Sequence, residues 1–395
     1  GNCLDNFRNK RKETRRKTLH KMIKKLLFAL LILISFNGFS QNISLSNQAK
    51  VSILTCGLGP ESYAMYGHTG IRIQDSLNNL DVVYNYGAFD FSTPNFIGRF
   101  IKGDLQYFVT NGSFIDFYYN YQVENREIIE QELQLNPNQI NRLFQQLNHS
   151  VYSDERFYTY KFIDRNCTTM VVDKINTILG KEYIKSNTSN QSYREILYPY
   201  MTNFYMKLGI QLIFGTKVDK PGTRLFLPYE FKEAISTTKV NGNKIEKSGA
   251  KILQVTKPET HFNWFNSIYS LITVLLFLVL LNKKWIKMSY FIFAGLLGLF
   301  FSLVGLYSLH EEILWNYNIL LFNPMLLIFA WYFKKENRDK TILFGKIILA
   351  MLLVYLAYMT TKIHLEIVWP FIALHFYWIA KIVLQIKRSK QNSSF

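Results

Sequence analysis

Phe162-Ile163-Asp164-Arg165-Asn166-Cys167-Thr168-Thr169-Met170 is a polar, charged run that ends at one cysteine, with a helical pattern directly behind it. Met170, Val171, Ile175, Ile178 and Leu179 recur at the spacing of a buried helix face, and Gly180 is a stop signal. Cys167 therefore falls at or just before a helix N-terminus, where unpaired backbone N–H groups and the helix dipole favour negative charge. A thiolate is such a charge, and helix N-termini lower thiol pKa values from about 8.5 to roughly 3.5–7.5. Asn166 and Thr168 are also ordinary capping residues, so a structural cysteine beside a cap is the alternative at this point.

The chain has 395 residues, 49% hydrophobic and 16% aromatic, with a formal net charge of +18. The positive excess lies at the two ends, ten Lys/Arg against two acids over 1–25 and thirteen against five from 282 onward. A nucleic-acid binder concentrates such charge on its folded domain. Here it flanks apolar segments, as targeting and membrane topology require, and nucleic acid is excluded as a partner. The three cysteines, Cys3, Cys56 and Cys167, are too few for a disulfide framework or a cysteine-rich zinc site. A Cys56–Cys167 disulfide is the bland alternative in an exported domain.

Met22-Ile-Lys-Lys followed by the apolar run Leu26 to Phe36 and the small residues Ser35, Gly38 and Ser40 reads as a secretory signal, cleaved near Ser40 or Gln41. Translation is expected to start at Met22, an uncleaved anchor being the alternative. Residues 42–262 then read as one exported α+β domain. Strands are expected at Val51–Cys56, up to Ile73, at Asp81–Tyr86, Leu105–Thr110, Arg126–Leu133 and Tyr158–Ile163, with a turn at Asn78-Asn79. A helix opens at Asn136-Pro137 and runs through Leu147. The aromatic helical stretch Tyr193 to Phe214 reads either as core or as a helix leaning on the bilayer.

Residues 263–395 read as an all-α bundle of five spans, near 266–281, 288–309, 314–333, 341–359 and 367–386. Lys283, Lys284 and Lys287, then Lys334, Lys335, Arg338 and Lys340, then Lys387, Arg388 and Lys390 mark alternate loops as cytoplasmic. This puts the C-terminus inside and the 42–262 domain outside an inner membrane. The outward loop His310-Glu311-Glu312 reads as solvated and acidic, with cation binding as the lesser alternative. No metal or cofactor is expected.

A thiolate nucleophile needs a base within hydrogen-bond reach. His149 and His261 read as surface residues. His68 lies in Tyr66-Gly67-His68-Thr69-Gly70, entering a strand, and is the candidate partner of Cys167. For the group that orients the imidazole, Asn85 on the next strand is the first choice and Asp90 the second, although either also suits a turn or cap. Arg72 on the His68 strand is a candidate for a substrate phosphate or carboxylate, or else a salt-bridge residue. Glu61 and Tyr63 lie on the approach to His68 and are candidate pocket residues.

A strand-borne histidine followed about a hundred residues later by a helix-start cysteine resembles the circularly permuted papain-like fold, which includes lecithin:retinol acyltransferase-like enzymes. Leu54-Thr-Cys-Gly-Leu-Gly-Pro-Glu61, Tyr66-Gly-His-Thr-Gly-Ile-Arg72, Tyr84-Asn-Tyr-Gly-Ala-Phe-Asp-Phe91, Glu124-Asn-Arg126 and Asp164-Arg-Asn-Cys-Thr-Thr169 resemble the periplasmic domain of the Lnb-type lipoprotein N-acyltransferases. The resemblance covers most of residues 50–235 and implies Cys167 and His68 as the catalytic pair. It also implies a phospholipid acyl donor, a diacylated lipoprotein acceptor and a Cys167 thioester between them. A thiol hydrolase of lipid or peptide, and a non-enzymatic membrane protein that binds a partner, are the rival classes.

Overall fold

Side-chain alternation in β1 (Lys50–Cys56) sends Val51 and Ile53 to one face of a sheet and Leu54 and Cys56 to the other. The computed structural model, which describes residues 21–25, 44–188, 190–255 and 262–392, builds an α+β domain on that strand. Residues 21–25 are helical and belong to a separate unit that ends at Ser44. The signal-peptide reading beyond Lys25, Cys3 and His261 lie outside the described residues.

β2 (His68–Asp75), β3 (Leu80–Ala88), β4 (Gln106–Ser113), β5 (Ile128–Glu132), β6 (Phe157–Thr159) and β9 (Lys251–Gln254) join β1 in the order β6-β4-β3-β2-β1-β5-β9. Every pairing in this sheet is antiparallel. The β2–β3 connection is a short 3-10 turn, Ser76–Asn78, closed by Asn79 at φ 50°, a left-handed conformation that asparagine tolerates. Between β3 and β4 lies the short helix α1 (Phe96–Lys102), and α2 (Phe114–Val123) follows β4 directly.

α2 covers the Leu54–Cys56–Val83 face through Phe117. The opposite face packs on α3 (Pro137–Tyr152) and α4 (Cys167–Leu179). Both helices begin where capping chemistry dictates. Asn136 and Gln139 form a capping box with Pro137 in the first turn, and Asn166 and Thr169 form another. Leu143, Phe144 and Leu147 from α3 meet Val171, Ile175 and Ile178 from α4 under Ile53, Ile71 and Tyr84. The strand expected over Tyr158–Ile163 is shorter. After Thr159 the chain curls, Lys161 and Arg165 exchanging backbone hydrogen bonds at 3.0 Å, and this turn delivers Asn166 to its capping position.

The rest of the domain is α5 (Tyr193–Leu197), α6 (Phe204–Ile213), α7 (Pro228–Thr237) and the hairpin strands β7 (Lys239–Val240) and β8 (Asn243–Lys244). α6 lies against the helical C-terminal region, with Leu208 and Leu212 in the membrane-bundle cluster and Tyr205 Oη 2.7 Å from Ser270 Oγ. Of the two readings of 193–214, this segment is the seam between the domain and the membrane helices.

The C-terminal region comprises α8 (Ile268–Leu281), α9 (Lys284–Tyr307), α10 (Met325–Lys334), α11 (Arg338–Met359) and α12 (Leu365–Asn392). Among the described residues, four segments are long and apolar enough to cross a membrane: Lys284–Tyr307, Glu311–Lys334, Arg338–Met359 and Leu365–Ser389. α8, the first of the five expected spans, has 14 residues. At 1.5 Å per residue it reaches about 21 Å, short of the roughly 30 Å hydrocarbon core. The second crossing segment is also not one helix. It opens as two 3-10 turns, Glu311–Ile313 and Tyr317–Leu320, before α10. Non-helical backbone at that depth is tolerated where protein buries it, and here Asn316, Asn318 and Asn323 are all buried. Gly298 permits this packing, since a Cβ there would run into the Phe322 carbonyl oxygen.

Candidate active site

Cys167 is the first residue of α4, and its neighbours are fixed by Asn166. Asn166 Oδ1 accepts from the Thr168 and Thr169 N–H groups at 2.9 and 3.0 Å, and Nδ2 donates to the carbonyls of Phe162 (2.8 Å) and Phe226 (2.9 Å). The cap leaves the Cys167 N–H, the first in the helix, unclaimed by Asn166. Its two successors, the Thr168 and Thr169 N–H groups, are engaged by the cap, so the Cys167 N–H is the first-turn donor beside the sulfur that Asn166 leaves free.

His68 is the first residue of β2, and its backbone pairs with Cys56 on β1. Its Nε2 lies 3.1 Å from Asn85 Oδ1 across the β2–β3 pair, where Asn85 stands opposite Gly70. An amide oxygen only accepts, so Nε2 carries the hydrogen and Nδ1 is the basic nitrogen. Burial raises the Cys167 pKa, but the His68 charge and hydrogen bond, together with the Thr69 backbone N–H and the Thr168 hydroxyl, outweigh it and hold the thiol below its ordinary 9.0. The Thr69 and Thr168 hydroxyls bond each other at 2.9 Å, linking β2 to the start of α4 beside the sulfur.

Gly87 completes the site. The β3–β4 register shifts between Asn85 and Ala88, and Gly87 sits in that irregularity at φ +99°, where a Cβ would lie 3.7 Å from Cys167 Cβ. Thr69 and Gly87 have no role of their own in the sequence reading, and Thr168 reads there only as a capping residue. The only local signals were the places of Thr69 beside His68, of Thr168 beside Cys167 and of Gly87 two residues after Asn85.

Other expected site residues are placed elsewhere. Asp90 is exposed and caps its own turn, accepting from Ser92 N (2.8 Å) and Ser92 Oγ (2.7 Å), so Asn85 and not Asp90 contacts the imidazole. Arg72 is a salt-bridge residue. Its Nε and Nη2 donate to Asp81 at 2.7 Å, its Nη1 to Glu130 at 3.0 Å, and Phe114 covers it at 3.4 Å. With its charge neutralised by two carboxylates and one face covered by a ring, it is committed to structure, not to a substrate anion. Glu61 is exposed in the approach loop. Tyr63 is exposed too, its ring centroid 6.0 Å from that of Phe89 in an edge-on arrangement. Cys56 and Cys167 are both free thiols, and burial pushes Cys56 up to about 12.

The outward loop 308–316 is docked on the domain at some residues and solvated at others, Leu309, Glu311 and Trp315 being exposed. Glu312 is buried, and its backbone carbonyl accepts from Gly215 N at 2.8 Å. Glu311 and Glu312 face Lys217, which also pairs with Asp164, while His310 turns away to the Phe100 carbonyl. Behind this loop, Arg194 is buried against Asp219 (2.9 Å) and Gln211 Oε1 (2.7 Å), and Asp219 also receives Tyr317 Oη at 2.9 Å. Asn316 Nδ2 donates to the carbonyls of Leu212 and Ile213, and Asn318 Nδ2 to those of Gln211 and Leu212. The exposed carbonyls at the end of α6 are thus closed by the membrane region.

Two family models match the chain. Residues 36–199 match the Lnb N-terminal periplasmic domain, and residues 250–390 match the Lnb transmembrane domain. Together they support the Lnb family and describe a membrane protein whose N-terminal domain is periplasmic. Neither the curated proteins nor the solved structures gave a match.

Proposed function

We propose that the periplasmic domain is a permuted papain-like thiol acyltransferase, moving an acyl chain from a phospholipid to the N-terminal amine of a diacylated lipoprotein. The observation that carries this reading is a helix-start thiol with a lowered pKa, partnered by His68, whose other nitrogen is held by Asn85. In this mechanism the Cys167 proton passes to His68 Nδ1 and the thiolate attacks an ester carbonyl. The Cys167 N–H donates to the developing oxyanion. Collapse breaks the acyl–oxygen bond, and the imidazolium returns its proton to the departing glycerol oxygen, releasing a lysophospholipid. The free amine then attacks the thioester, His68 accepts its proton, the carbon–sulfur bond breaks and an amide results.

A protein with several membrane-crossing helices beside its thiol gains most when both substrates live in the bilayer, and this favours lipid acyl transfer over attack on soluble substrates. The alternation of basic loops supports an inner-membrane location with a cytoplasmic C-terminus. In that arrangement α8, extended by the turn at Trp264–Asn266, is the first of five crossings.

The test is mass spectrometry of the full chain reconstituted with phospholipid. An acyl adduct on Cys167, absent in Cys167→Ser and His68→Ala, together with N-acylated lipoprotein product, is expected. Conversion of diacylated to triacylated lipoprotein by both variants would sink the reading. Release of free fatty acid without amide would instead make the protein a hydrolase.

A further inference from the structure

α1 carries Ile97, Phe100 and Ile101 to the surface, with Phe91 exposed just before it. Ile97 is 71% exposed and Phe91 67%, unusual for large apolar side chains grouped within eleven residues. The position of the patch is fixed by the membrane region. Ser308 Oγ donates to the Ile101 carbonyl (2.8 Å), Leu309 N to the Lys102 carbonyl (2.7 Å), and His310 Nε2 lies 2.9 Å from the Phe100 carbonyl. These three residues directly follow α9, a 24-residue apolar crossing helix. The outer stripe of α9, including Leu296, Leu303, Leu306 and Tyr307, is exposed up to the contact with α1. Leu306, two residues before Ser308, is 84% exposed.

We infer that α1 and Phe91 form a wedge that rests in the outer leaflet of the bilayer, continuing the lipid-facing surface of α9 to the domain that holds Cys167. The occupant is lipid because the patch is continuous with a surface that already faces lipid, at the level where that helix leaves the membrane. Arg99 fits the same placement, since a long cationic side chain beside an apolar patch extends to anionic headgroups, while Lys102 is paired with Asp104 at 2.6 Å. Phe96 ties the wedge inward, its ring 5.8 Å from that of Phe89, which follows the Gly87 bend. This surface does not depend on the catalytic reading, and its test reads lipid contact and not turnover.

The experiment places the photoreactive residue p-benzoylphenylalanine at Ile97, and separately at Phe91, in the full chain reconstituted in phosphatidylethanolamine–phosphatidylglycerol nanodiscs. The same residue at Leu77, an exposed position on the β2–β3 turn at the other end of β3, is the reference. After irradiation, mass spectrometry is expected to find phospholipid adducts at 97 and 91 several-fold above those at 77. Three results overturn the inference: equal lipid adducts at all three positions, adducts to the chain's own residues 26–43, or adducts to another polypeptide in place of lipid.

Discussion

Asn85 Oδ1 lies 3.1 Å from His68 Nε2, and an acceptor there leaves Nδ1 as the imidazole nitrogen that would take the thiol proton in the proposed reaction. Asn85→Ala removes an interaction that strengthens as the ring becomes charged. A hydrogen bond to a charged group is worth about 1.5–3 kcal/mol, so kcat is expected to fall roughly 10- to 100-fold. Steady-state kinetics with the reconstituted protein checks this, with KM for the lipid donor unchanged. A fall confined to KM would mean that Asn85 shapes the pocket instead.

The protonation of Cys167 gives a second outcome. Burial alone raises its pKa, and His68 is the largest influence that lowers it below 9.0. In the native protein the rate of iodoacetamide alkylation at Cys167 should therefore persist as pH falls below 9. In His68→Gln only the weaker donors oppose burial, so the alkylation profile moves to higher pH. The rate at pH 7.5 then drops by about tenfold for each pH unit that the profile moves. Cys56, pushed up to about 12, remains unmodified in both proteins. Superimposable profiles would show that His68 does not act on the sulfur.

Asn166→Ala should be costly despite lying outside the proposed chemistry. Loss of the cap costs about 0.5–2 kcal/mol, and the Phe162 and Phe226 carbonyls lose buried donors, each a further loss of about 1–3 kcal/mol. The thermal unfolding midpoint in detergent is expected to fall by about 5 °C or more. Asn166→Asp keeps the acceptor for the helix N–H groups but not the donors, and should lie between the two. An unchanged midpoint in Asn166→Ala would contradict this assignment of the cap.

Arg194→Met leaves Asp219 buried beside Tyr317 and Lys362 without its principal partner. Breaking one side of a buried pair costs about 3–5 kcal/mol. Hydrogen exchange should rise together over residues 204–219 and 311–320, because Asp219 and the α6 carbonyls join those segments. Arg194→Lys should not restore protection, since a point ammonium cannot replace a planar fork that reaches Asp219, Gln211 and the Phe214 and Gly215 carbonyls. Faster exchange restricted to residues 194–197 would refute the coupling.

Much of the domain is legible in the sequence where the physics is local. β1, β2, β3 and β5 follow from alternation and β-branched residues, and α3 and α4 from Asn caps and apolar spacing. What is not legible depends on distant partners. The Tyr158–Ile163 run has strand composition, yet only Phe157–Thr159 finds β4, because the chain must turn to set Asn166 over α4. The apolar run at 314–333 hides two 3-10 turns, whose asparagines make sense only once the α6 carbonyls stand opposite them. At the site, the proximity of Asn85 to His68 follows from strand pairing. The φ of Gly87 and the commitment of Arg72 to Asp81 and Glu130 follow from a bulge and a neighbouring strand that no residue spacing announces.

Asn316 and Asn318, by closing the carbonyl end of α6 from the membrane side, give the protein a fixed standoff. A thiol on a loose stalk would sweep through every height and tilt above a bilayer. Here hydrogen bonds from the membrane region to the carbonyls of α6 fix the position of the domain that holds Cys167. Under the proposed function, a substrate's stem, from its buried tails to its reacting atom, would have to match that reach, and the seam would act as a gauge of length.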